Sequence, residues 1–380
     1  MTTSPQDHVG QDRAGRERVG VWLVGARGSV ATTTAAGRAA LAAGLHPPTG
    51  LVTALPPFAG CALPALDDLV FGGHDTAATP LPKRAEELVA AGVLPPGLPA
   101  AVAAELAAAD AEIRPGAAHP GEQLADRLAA DIAAFTERNG LARTVVVNVA
   151  STEGSSTDPS PMYAAAAVAA GCPYVNFTPA TGMRAPGLAE RALAAGLPHA
   201  GRDGKTGQTL LRAALAPMFT QRALTVRSWS GANLLGGGDG AALADPAAAA
   251  AKNAGKARVL NDILGEQPEG TVHIDNVPAL GDWKTAWDHV AFDGFLGTRM
   301  LLQTIWQGCD SALAAPLVLD LVRLLASAHA AGLAGPVPGL GFYFKDPDEG
   351  PAALGEQYAA LLDLAGRLTR PAEPAEQARP

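Results

Sequence analysis

The apolar positions of the chain fall into short runs separated by longer stretches of small and polar residues. Residues 19–24 (VGVWLV) form an apolar run of the length of a buried strand. The sequence Gly25-Ala-Arg-Gly28-Ser-Val-Ala31 follows at once, and the Ala-rich stretch 32–44 reads as a helix. Residues 51–55 are largely apolar and read as the second strand, and residues 81–135 as mostly helical with Pro-Gly breaks at 95–99 and 115–121. TVVVNVA at 144–150 is a continuous β-branched run of the kind found in a central parallel strand. A helix at 162–171, a strand at 174–177 and a helix at 188–195 complete an alternation that predicts a doubly wound parallel sheet. After about residue 220 the pattern changes. Residues 224–229, 271–274 and 289–292 read as strands of a more open, mixed sheet, and 310–331 as a long apolar helix returning to the first unit.

Composition narrows the classes of function. The 380-residue chain carries a formal net charge of −9, with no basic excess for a nucleic-acid backbone. Its three cysteines, Cys61, Cys172 and Cys309, are too far apart in sequence for a metal or redox motif. Residues 1–18 are polar, unlike a signal peptide, and no run reads as a membrane span. A cytoplasmic protein is expected, with a disordered leader at 1–18 and a disordered tail at 371–380. Of the 28 lysines and arginines only six are lysine: Lys83, Lys205, Lys252, Lys256, Lys284 and Lys345. In an Ala-, Gly- and Arg-rich chain, lysines that fall inside other motifs are candidates for sites needing a compact ammonium that can transfer a proton.

Three constellations carry candidate chemistry. The first is the glycine turn after the first strand, where Gly25 permits a tight turn, Gly28 admits a pyrophosphate and Ala31 packs closely. Its G-x-x-G-x-x-A spacing departs from G-x-G-x-x-G, and no acid ends the presumed second strand; the nearest ribose-binding candidate is Asp75 in FGGHD. The second is HAGRDGKTGQT at 199–209, dense in Gly, hydroxyl, Asp203 and Lys205, leading into a helix; it reads either as an anion site or as a turn capped by Thr206 or Asp203. The third is the lysines. Lys252 and Lys256 share one helical face by spacing. Lys284 and Lys345 lie beside aromatic residues, which can desolvate an amine or merely be covered by its stem.

VWLVGARGSVATT, FGGHD, VVVNVASTE, YVNFTP, PHAGRDGKTGQTLLRAALAPMF, NLLGGGDG, DNVPALGDWKTAWDHVAFDGFLG, CDSALAAPLVLDL and GFYFKDP together resemble, in order, the motifs of the myo-inositol-1-phosphate synthase family, closest to its shorter, archaeal-type branch. The resemblance covers roughly residues 19–350. It implies an α/β fold: a Rossmann-like doubly wound parallel sheet with an inserted α+β catalytic and tetramerisation domain. On this chain the first would take 19–224 plus 313–370 and the second 225–312. It further implies NAD-dependent cyclisation of a hexose 6-phosphate by transient C5 oxidation, C6 enolisation, aldol closure and re-reduction, in a homotetramer.

By the same resemblance Lys252, Lys256, Lys284, Lys345 and Asp310 are catalytic. Lys252 would handle the C5 hydroxyl proton near Asp310, and Lys345 would stabilise the C1 oxyanion. Asp203, Lys205, Thr206, Gln208, Thr209 and Asn233 would hold substrate. Gly25, Arg27, Gly28, Ser29, Val30 and Asp75 would contact NAD, with Ala150, Ser151, Thr152 and again Asp203. A divalent cation on carboxylates and phosphate is chemically compatible. Where the family often has Asp-Gly-Lys this chain has Asp239-Gly240-Ala241, followed by an Ala-rich stretch. Fructose 6-phosphate, closing to a five-membered ring, is therefore the alternative substrate. An ordinary NAD-dependent dehydrogenase would instead release reduced cofactor, and a non-catalytic NAD-binding regulator would have no use for the lysine set.

Overall fold

The computed structural model describes residues 17–117, 124–150, 158–236 and 260–369. β1 (Val19–Val24) is fully buried and lies inside a seven-stranded sheet, next to its middle strand. The other strands are β2 (Leu69–Asp75), β3 (Ile113–Pro115), β4 (Arg143–Asn148), β5 (Tyr174–Asn176), β6 (Pro198–Gly201) and β11 (Gly335–Pro336). Their order is β11-β6-β5-β4-β1-β2-β3, and every pairing is parallel. From β1 the chain runs outward to β2 and β3, then returns to β4 and runs the other way, so the crevice for a ligand lies at the carboxyl ends of β1 and β4.

Both faces of the sheet are covered by apolar cores. On one face α1 (Ser29–Ala42), α2 (Leu81–Ala90), α3 (Leu98–Ala101) and α4 (Ala103–Ala111) pack with the late helices α9 (Asp310–Ala330) and α10 (Leu354–Leu368). On the other, α5 (Leu124–Arg138), α6 (Ser160–Ala169) and α7 (Leu188–Ala194) pack on Trp22, Val146 and Tyr174. α9 has the length and composition of a membrane span, which the sequence reading passed over. Its apolar face is a core face here: Val318, Leu321, Val322, Leu324 and Leu325 are fully buried.

The second sheet has the mixed character expected of it. β7 (Thr225–Leu235) pairs parallel with β8 (Val272–Asn276) and antiparallel with β9 (Trp283–Asp293), which pairs with β10 (Arg299–Cys309). α8 (Gly207–Gln221) covers one face through Ala216 and Phe219, which meet Trp229 and Val290. β10 runs directly into α9, so the return of the chain to the first sheet begins at Asp310.

Two expectations need correction. Residues 51–55 form no strand; Val52–Ala54 is a single 3-10 turn pinned by the buried Asp320, which accepts from the backbone N–H of Val52 at 2.7 Å and of Thr53 at 3.1 Å. The second strand is FGGHD itself, within β2. Its glycines are demanded by crowding: a Cβ on Gly73 would lie 2.1 Å from the Leu23 carbonyl oxygen. His74, also in this strand, accepts from Trp22 Nε1 at 2.9 Å through Nδ1, which leaves its proton on Nε2 facing Asp131. Burial pushes this imidazole down to about 4, so it is neutral at pH 7.

Candidate active site

The glycine turn lies in the crevice. Gly25 has a φ of +83°, and a Cβ there would approach the Ala150 Cα to 2.6 Å, so the loops after β1 and β4 meet at a point only glycine fits. Gly28 is the extended N-cap of α1, with no side-chain cap and no acid in the first turn. The first amides of α1 are thus free of a capping side chain and suited to an anion. Asp75, which the sequence seemed to displace, stands at the carboxyl end of the strand next to β1, where a ribose-binding acid belongs. Its Oδ2 accepts from the Arg27 N–H at 2.6 Å and its Oδ1 from the Ala77 N–H at 2.7 Å. These features fit a dinucleotide. The Arg27 side chain is turned to Asp110, at 2.9 and 3.2 Å, so its guanidinium braces the turn while its backbone meets Asp75. Ser29 and Val30 open α1. Ser151 and Thr152 lie outside the described residues.

Beyond β6 a short loop, residues 202–207, organises the rest. The returning segment 343–348 pairs antiparallel with it: Arg202 N–H donates to the Asp346 carbonyl at 2.7 Å, Lys345 N–H to that of Asp203 at 2.7 Å, and Lys205 N–H to that of Tyr343 at 2.8 Å. This pairing brings Lys345 Nζ to Asp203 Oδ1 at 2.7 Å. Asp203 holds a left-handed φ of 61°. The other end of the loop meets a second pair. Lys284 of β9 is hydrogen-bonded to Asp310 Oδ2, and Thr206 Oγ1 donates to Asp310 Oδ1 at 3.2 Å. Thr206 is the N-cap of α8, as one reading of the sequence had it, but its hydroxyl serves Asp310 and leaves the cap amides without a side-chain partner. Gly207 holds a left-handed φ of 54°, and a Cβ there would sit tightly against the pair, 3.3 Å from Lys284 Cε and 3.4 Å from Asp310 Oδ1. Asp310 opens α9, where the helix dipole favours its charge by ~0.3–1 kcal/mol. Two Lys–Asp pairs are therefore moored to one loop at the carboxyl end of the sheet.

Lys205 is placed differently from the other two. Its amine is buried and hydrogen-bonded to Gln357 of α10, and burial pushes its pKa down to about 7. An unfolded lysine stays protonated to pH ~10.4. Between pH 7 and pH ~10 the unfolded chain therefore binds more protons, and stability rises with pH by up to ~1.4 kcal/mol per unit from this group. Lys205→Met should flatten that slope, its stability relative to the wild type being highest near pH 7 and falling toward pH 10, as read by urea unfolding across the range.

Gln208, Thr209 and Asn233 are buried beside this loop. Gln208 Nε2 donates to Asp288 Oδ2 at 2.8 Å, and its Oε1 accepts from Asn233 Nδ2 at 2.7 Å. Asp288 also accepts from Arg212 Nε at 2.9 Å and Trp229 Nε1 at 2.8 Å. Sequence reasoning missed this hub. Its signal was the single arginine in the otherwise uncharged stretch 210–219. Asn148 and Asn176, closing β4 and β5, were missed as well; both are buried and joined to Thr178. Lys252 and Lys256 lie outside the described residues. Among the described residues no group of three or more His, Cys, Asp or Glu could hold a metal ion.

Two family models match the chain, both described as myo-inositol-1-phosphate synthase: an NAD-binding one over residues 19–158 and a second over 207–311. Inositol-3-phosphate synthase 1 of Bacteroides thetaiotaomicron is 32% identical, covering 87% of this chain and 89% of that one. The match to inositol-3-phosphate synthase of Trypanosoma brucei brucei, at 32% identity, covers 54% of this chain and 45% of its relative. The crystal structure of inositol-3-phosphate synthase from Caenorhabditis elegans superposes with a TM-score of 0.78 at 22% identity, covering 93% of this chain and 86% of that one. That of a myo-inositol-1-phosphate synthase-related protein from Thermotoga maritima gives 0.72 at 23% identity, covering 93% and 100%.

Proposed function

The chain belongs to the myo-inositol-1-phosphate synthase family, and we propose that it cyclises glucose 6-phosphate to an inositol phosphate, with NAD bound at the glycine turn. The observation that carries this reading is the loop 202–207, which holds Lys345 on Asp203 and, through Asp310, Lys284 beside the crevice. Substrate and product are isomers, so the reaction needs no net oxidant. NAD, when bound, supplies the reversible oxidation at C5 that acidifies the C6 protons.

The chain's own residues supply charge and proton transfer. Ring closure turns the C1 aldehyde oxygen into an alkoxide, and a fixed ammonium there contributes about 10²–10³ in rate. Lys345 is assigned this role. Its partner Asp203 limits its freedom before substrate arrives, so little reorganisation accompanies the step. Lys284 and Lys256 are assigned to the phosphate, and Lys252 to proton exchange at the C5 hydroxyl, a role in which Asp310 would assist. Lys205, its amine turned to Gln357, supports the loop from beneath. A divalent cation joining the phosphate is compatible with this scheme, and no step depends on one.

A homotetramer is part of this reading. On β10, Leu301 and Ile305 are 63% and 75% exposed, and Ile305 stands opposite the partly exposed Trp287 of β9. Phe295 and Leu296 project at the tip between the two strands. An apolar strip of this kind calls for a covering partner, and a second copy of the chain is the one proposed.

The Asp239-Gly240-Ala241 departure puts substrate identity in question, and in the second reading fructose 6-phosphate closes through its C2 ketone to a five-membered ring. Incubation with NAD and each sugar phosphate, followed by carbon and phosphorus NMR of the product, separates the two. The expected result is a six-membered cyclitol phosphate from glucose 6-phosphate. A five-membered product from fructose 6-phosphate, with glucose 6-phosphate inert, would replace the first reading by the second. Steady growth of reduced dinucleotide with either sugar would exclude both.

A further inference from the structure

We propose that Arg84 screens a misplaced negative charge, Asp282, from the diphosphate of the dinucleotide, and that the same contact ties the cofactor turn to the strand carrying Lys284. The proposal rests on the reading that α1 receives NAD.

The first turn of α1 has no acid of its own. An acid nevertheless reaches it from the other sheet: Ser29 Oγ donates to Asp282 Oδ2 at 3.4 Å. A carboxylate at the N-terminus of a helix that takes a dianion repels it. Arg84 of α2 offsets the charge. Its Nη2 donates to Ser29 Oγ at 2.7 Å and lies 3.8 Å from Asp282 Oδ2, while Nη1 donates to Glu87 at 2.8 Å. The Arg84 side chain is 29% exposed, open to a ligand rather than sealed in the core.

The acid has a reason to be there. Asp282 is the turn residue immediately before β9, and Lys284 is the second residue of that strand, so the position of the one sets the entry of the other. Trp283, between them, donates from Nε1 to the Ala91 carbonyl at the end of α2, at 2.9 Å. The beginning of β9 is thus fastened to α2 through Arg84 at one point and Ala91 at another. Asp282 fixes where Lys284 starts, and Arg84 makes that carboxylate tolerable beside a diphosphate. A latch that was only structural would not distinguish the loss of Arg84 alone from the loss of both charges. Screening does.

Equilibrium titration of NAD, without sugar phosphate, into the wild type, Arg84→Ala, Asp282→Asn and the double variant tests this. Arg84→Ala should weaken binding by about tenfold or more, the scale of one unscreened like-charge repulsion at a partly exposed site. Asp282→Asn should bind NAD as tightly as the wild type or more so, and the double variant should regain most of the affinity lost in Arg84→Ala. Wild-type affinity in Arg84→Ala, or a double variant as weak as Arg84→Ala, would overturn the proposal. If Arg84→Ala does not fold, Asp282→Asn decides, since weaker binding there contradicts repulsion. A wild type that binds no NAD would contradict the cofactor reading instead.

Discussion

Replacing Lys345 by alanine should lower the rate of cyclisation by about a thousandfold, the range of a lost oxyanion contact or acid–base group, and leave NAD binding intact. The two effects separate because Lys345 reaches the site from the returning segment 343–348, away from the turn at Gly25. Stability should change little. Lys345 and Asp203 are both partly exposed, and an ion pair of that kind contributes about 1 kcal/mol or less. Single-turnover cyclisation, NAD titration and thermal unfolding of the one variant read all three quantities. Turnover within about tenfold of the wild type would remove Lys345 from the chemistry.

Asp288→Ala should produce the largest loss of stability. The carboxylate is almost fully buried and receives Arg212, Gln208 and Trp229. Its removal leaves the buried Arg212 guanidinium without a counter-charge, a change that costs about 3–5 kcal/mol. Arg212→Met added to Asp288→Ala should recover part of the loss, because the stranded charge goes with it. Urea unfolding of the single and double variants measures both. The single variant should also raise KM, since Gln208 and Asn233 lose the anchor that fixes their amides. A loss below about 1 kcal/mol would mean that the network is not held as described.

Local pattern made much of the first sheet legible. The β-branched run at 144–150 is β4 with its exit, and the apolar run before Gly25 is β1. β2 was hidden because its glycines, Gly73 forced by the Leu23 backbone and Gly72 by the Phe135 ring, look like a loop in one dimension. That error also made Asp75 seem out of place. β10 was missed because an exposed edge strand with Gln303, Gln307 and Gly308 lacks a buried strand's composition. Among the site residues, scarcity of lysine pointed to Lys284 and Lys345, and the structure brings both to one loop. Which carboxylate meets which amine could not be read, since Lys345 and Asp203 are 142 positions apart. The Arg212–Asp288 pair is hidden for the same reason, with 76 positions between its members. Lys205 shows the limit of counting lysines: it shares the motif, yet its amine is turned to Gln357.

The central claim is that C5 is oxidised and then restored within one active site around these lysines. The most direct test uses glucose 6-phosphate carrying deuterium at C5, with NAD and the wild-type protein, and follows the label by NMR. The account predicts a cyclitol phosphate that retains the deuterium at the original C5, with no net accumulation of reduced dinucleotide. Cyclitol phosphate without the label, or deuterated reduced dinucleotide formed in step with sugar consumption, would contradict it.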